Sequence, residues 1–132
     1  MLLDAGLVIS WGQLAERALK AEEYVKKYKD DPNTAQDGIF MYQSYINIML
    51  LGIDNTPIFD FASSEFSKDA KADYVDFINK NPDSVTANIL TEYITYLASI
   101  NYKIDFNNEQ QSKVYFDTCK WLVSEAGKRV VK

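Results

Sequence analysis

Trp11, Leu14, Ala18, Ala21, Val25 and Tyr28 recur at three- and four-residue spacing. That spacing lines one face of a helix and predicts an amphipathic helix over about 11–29. Ser10 with Gln13 gives the capping-box pattern at its start, and Ile9 and Leu14 occupy the staple positions. "KDDPN" stops it, because the residue before Pro32 is pushed out of the α region. A second helix is predicted over about 35–51, opened by a weaker Thr34/Asp37 box. From Ile39 to Leu51 only Gln43, Ser44 and Asn47 are polar, so this helix is expected in the middle of a bundle, packed on most sides. Gly52 suits its C-terminal turn.

Three further helices follow by the same reasoning. One is predicted over about 65–79, with Phe66, Ala70, Tyr74, Phe77 and Ile78 inward; "NKNPDS" ends it. The next, about 84–101, carries Val85, Ile89, Tyr93, Tyr96, Leu97 and Ile100. The last, about 108–127, is built on Val114, Tyr115, Leu122 and Ala126, with Trp121 beside them. No stretch alternates cleanly with period two, so little or no sheet is expected. The reading is an all-α, single-domain bundle of five helices over 1–132, preceded by a short apolar segment at 1–9.

Hydrophobic content of 47% and aromatic content of 14% are too high for a disordered chain. The densest apolar run, "INIMLLGI", is far too short to span a bilayer. "MLLDAGLVIS" lacks the basic start and cleavage pattern of a signal peptide, so a cytoplasmic protein without membrane contact is expected. Lysine outnumbers arginine twelve to two, a bias that fits a low-GC bacterium or its phage.

Candidate chemistry is sparse. The chain has no histidine, which removes Ser-His and Cys-His nucleophiles and His-ligated zinc or di-iron sites. Cys119 is the lone cysteine and lies within a helical pattern, where a buried or boundary thiol is expected rather than a reactive one. Asp54 and Glu65 have the spacing of the first and last ligands of an EF-hand loop. Phe59 stands where its glycine is needed, and Ile58 where an oxygen ligand is needed. Glu92 is the one acid inside an apolar run, and the helical count turns it toward solvent. No glycine pattern cradles a phosphate, and a net charge of −5 disfavours nucleic acid. No catalytic, metal or cofactor-binding residue is assigned, and a non-enzymatic protein is expected.

The charge is unevenly spread. Residues 30–105 carry a net of −8, against +1 before and +2 after. Glu65, Asp69, Asp73 and Asp76 are predicted to form one stripe of the third helix, and these four are the candidate partner-binding residues. They suit a basic surface on another protein, with charge steering the encounter. An inhibitor or immunity-type protein is the sharpest form of this reading. The alternative is a structural subunit of a homo-oligomeric or phage assembly, held by exposed apolar surface such as 1–9 or the tyrosine pairs. Most of the nine tyrosines are expected at the core boundary, rings buried and hydroxyls wet.

"DFASSEFSK" from Asp60 and "DFNNEQQSK" from Asp105 share four of nine positions, too few to establish a repeat. Both are expected to do one job: place an aromatic, Phe61 or Phe106, on the core and supply polar caps before the next helix. The first, from Asp60 onward, leads into the acidic stripe.

Overall fold

Five helices form in the order read from the sequence. They are α1 (Trp11–Tyr28), α2 (Ala35–Leu51), α3 (Lys68–Lys80), α4 (Val85–Ser99) and α5 (Glu109–Arg129). The computed structural model describes residues 2–3, 6–7, 9–53, 56–60 and 62–132. Asp54 and Phe61, both singled out above, lie outside the described residues, as do the side chains of the apolar segment 1–8. The all-α bundle is therefore the fold. Among the described residues, sheet is limited to two ribbons of two-residue strands: β1 (Leu2–Leu3) with β2 (Gly6–Leu7), and β3 (Gly52–Ile53) with β4 (Thr56–Pro57).

The predicted start of α1 is realised in full. Ser10 Oγ accepts from Gln13 N at 3.0 Å, and Gln13 Oε1 accepts from Ser10 N at 2.9 Å. Gly52 ends α2 with φ 69°, a conformation that suits glycine, and donates its N–H to the Ile48 carbonyl. Thr34 does not cap α2 with its side chain. Its backbone is already near the right-handed helical region rather than extended, so the hydroxyl makes no bond to the first turn.

Helix α3 begins three residues later than predicted. Residues 58–60 and 62–67 belong to a clip instead, which pairs with the loop before α5. Phe66 N donates to the Tyr102 carbonyl at 2.8 Å and Ile104 N to the Ser64 carbonyl at 3.0 Å. Ser67 then caps α3 through Ala70 N, as Asn108 caps α5 through Gln111 N. The two similar stretches also share a turn: Asp60 Oδ1 accepts from Ala62 N, and Asp105 Oδ1 from Asn107 N. Phe106 packs on Phe59 and Tyr115 with ring centroids 5.3 and 5.8 Å apart.

Over 39–51 of α2 only Phe40, Met41, Ser44 and Asn47 are exposed, so the helix is covered on most sides as expected. It packs chiefly on α1 and α5, burying Tyr42, Ile46, Met49 and Leu50. Phe40 and Met41 share its open side with Ser44 and Asn47. Val114 and Trp121 of α5, expected inward or nearly so, are also exposed. Tyr115, Cys119, Leu122 and Ala126 form the inner face of α5 instead.

Candidate partner-contact surface and buried polar sites

The structure separates the four acids predicted as one stripe. Glu65 lies before α3, in the clip, with its carboxylate 3.5 Å from Lys103 Nζ. Asp69, Asp73 and Asp76 are on α3, but their roles differ. Asp73 is half-buried, and its Oδ2 accepts from Gly12 N at 3.0 Å. Helix α1 has no acidic residue in its own first turn, so Asp73 supplies the negative group there from a neighbouring helix. Asp69 is exposed, and Asp76 is exposed and paired with Lys80 at 2.9 Å. The Asp76 hydrogen bond raises the Lys80 pKa, and the charge of Glu16 on α1 adds to it. The exposed acidic face therefore joins Asp69 and Asp76 of α3 to Glu16 of α1.

This difference in roles can be measured. Asp73→Ala should cost about 1 kcal/mol, because it strips a partly buried N–H of its acceptor. Asp69→Ala should stay within about 0.5 kcal/mol, the usual range for a surface change. Urea midpoints of the two variants, compared with the parent, test the contrast.

A second site went unread in the sequence. Glu22 is 1% exposed, on the core side of α1. Its carboxylate accepts from Val85 N at 2.9 Å, Thr86 N at 2.8 Å, Thr86 Oγ1 at 2.7 Å and Lys26 Nζ at 2.6 Å. Since the Thr86 hydroxyl proton goes to Glu22, the Tyr42 hydroxyl, 2.8 Å away, donates to Thr86. Burial works to raise the Glu22 carboxyl, but the hydrogen bonds from Lys26, Thr86 and Val85 together outweigh it and hold it below its ordinary value. The available signal was its position between Ala18 and Val25 on the apolar face. Glu92, the acid the sequence drew attention to, is partly exposed and pairs with Arg129.

A third polar cluster closes the C-terminal end of α2. Tyr74 donates to the Met49 carbonyl at 2.6 Å, and Tyr93 to the Leu50 carbonyl at 2.7 Å. The Tyr115 hydroxyl also bonds the Leu50 carbonyl and lies 2.9 Å from the Tyr93 hydroxyl. Burial pushes all three phenols above their ordinary value. It also pushes the neighbouring Cys119 thiol up to about 12, leaving it protonated and a poor nucleophile. Tyr42, Tyr74, Tyr93 and Tyr115 are thus buried hydroxyl and all, which corrects the expectation of wet hydroxyls for these four. The other five tyrosines do lie at the boundary or surface.

Each of these polar clusters is saturated by its own protein partners and joins one helix to another. Among the described residues, no group of three or more potential ligands could hold a metal ion, and no helix is long and apolar enough to cross a membrane. No protein-family model, curated protein or solved structure matches the chain.

Proposed function

We propose that the chain is a non-enzymatic protein-binding module that presents its α1–α3 face to a basic surface of another protein. An inhibitor or immunity-type protein covering a basic groove is the sharpest form of the proposal. The observation that supports it is the placement of Asp69, Asp76 and Glu16 as exposed acids on two adjoining helices. Together with the −8 net charge of residues 30–105, they would draw a basic partner in and orient it on encounter. Asp73 contributes charge to this face while its hydrogen bond to Gly12 fixes α1 against α3.

The test is capture of binding proteins from the native host by the parent chain and by an Asp69→Lys/Asp76→Lys variant. Asp73 is left in place because its loss would disturb the helix pair. The expected result is a basic protein held by the parent at about 50 mM salt and released at about 500 mM, where the Debye length falls below ~5 Å. The double variant should lose it at either concentration. A partner held equally by both chains, whatever the salt, rules this face out.

A further inference from the structure

We propose that the exposed α4–α5 face is a self-association surface, on which a second copy of this chain seats in a two-fold pairing through Trp121. The reading is independent of the acidic face, which lies on other helices.

Trp121 and Val114 are 51% and 46% exposed, two of the three large apolar residues that α5 leaves open to solvent. They are seven residues apart, so they share one stripe of α5 and stand about 10 Å apart along it. Beside Val114 opens a cleft of about 320 Å³, walled by Tyr96, Ile100 and Ile104 with Gln111 at its edge. One stripe therefore carries both a protruding indole and an apolar recess. A two-fold contact demands that combination, because each copy must offer both halves of the fit. An antiparallel α5–α5 pairing centred near Thr118 sets each Trp121 against the Val114 and recess of the other copy.

The indole is held in place rather than free. The Arg129 guanidinium lies 5.9 Å from its ring, and Arg129 is itself bonded to Glu92 and Glu125. An anchor fixed in advance loses little freedom on binding, and tryptophan and arginine are the residue types that dominate interface energetics.

Charge selects the occupant. Glu92, Glu125, Lys128 and Arg129 form a connected group with no net charge, and Asp117 is paired with Lys113 at 2.6 Å. In a chain of net charge −5, this face lets two copies meet without net local repulsion. The α1–α3 face would oppose the same approach with its exposed acids.

The test is sedimentation velocity of the full chain from about 1 to 100 μM, a range that spans weak to moderate affinities. A concentration-dependent dimer is expected, persisting at about 500 mM salt because the contact is apolar. Val114→Lys and Trp121→Ala should each weaken it by about tenfold or more, equivalent to ~1.4 kcal/mol. Val75→Lys, an exposed apolar position on α3, should leave it unchanged. Circular dichroism, and a urea midpoint unchanged at concentrations where the parent is monomeric, confirm that each variant folds. A monomer throughout the range overturns the proposal. So does a dimer indifferent to Val114→Lys and Trp121→Ala, or one that dissolves in salt.

Discussion

Glu22→Ala should lower stability by roughly 3–5 kcal/mol, the cost of breaking a buried ionic cluster by removing one member. At about 4 °C per kcal/mol, the melting temperature should fall by roughly 10–20 °C. The substitution leaves Val85 N, Thr86 N and the Thr86 hydroxyl without their acceptor, at the buried start of α4. Helix α4 has no acidic residue in its own first turn to take over. Glu22→Gln should be nearly as damaging, because its amide NH2 would point at groups that are already donors. The effect should also depend on pH, with a defined sign. The folded carboxyl sits below its ordinary value of 4.5, so its contribution is complete above that pH. It is lost as pH falls through the depressed folded value. Chemical denaturation at pH 7 and near pH 3 should therefore show the parent and Glu22→Ala chains converging on acidification. A gap that stays constant between those pH values would show that the ionised carboxylate is not the acceptor.

What was legible in the sequence is what local spacing encodes. The five helices, the Ser10/Gln13 box, the Gly52 terminus and the inner faces of α1, α3 and α4 all follow from periodicity and short-range caps. The delayed start of α3 does not, because Ser64, Glu65 and Phe66 are taken by pairing with Tyr102, Lys103 and Ile104, some forty residues away. Nor does the exposure of Phe40 on the otherwise covered α2, because an apolar residue can stand on a solvent face without any sequence mark.

The structural roles of Asp73, Glu22 and the buried tyrosines escaped the sequence for one shared reason. Asp73 serves the start of α1, Glu22 serves the start of α4, and three tyrosines serve the end of α2. Each completes a helix end on a different helix. A local cap such as Ser10, Ser84 or Gly52 satisfies only part of a helix end, and the remaining buried N–H and C=O groups must find partners elsewhere, since they are costly to leave unpaired. Sequence spacing shows the local cap but not the groups it leaves unpaired. Which distant side chain fills the gap depends on how the helices pack. A search for acids and tyrosines on apolar faces opposite such helix ends would have found Glu22. It would also have given Asp73 a structural role beside its charge.

Tyr115→Ala should cost about 3–5 kcal/mol, as large-to-small aromatic changes in a core do. Its ring lies 5.3 Å from Phe59, 5.8 Å from Phe106 and 5.5 Å from Phe116, centroid to centroid, so its removal takes a shared neighbour from all three. Tyr115→Phe should cost only about 1 kcal/mol, because the packing stays and Leu50 keeps its bond from Tyr93. The hydroxyls are redundant in a countable way. Tyr93 and Tyr115 have two protons between them, but three short contacts join those hydroxyls and the Leu50 carbonyl. At most two contacts can be hydrogen bonds at any moment. Either phenol alone can serve the carbonyl, so Tyr93→Phe should also be mild. The double variant leaves the carbonyl with neither and should lose more than the sum of the singles, by roughly 0.5–3 kcal/mol. A double-mutant cycle in urea measures this directly. Simple additivity would mean that the two hydroxyls act separately and that α2 has another donor at its end.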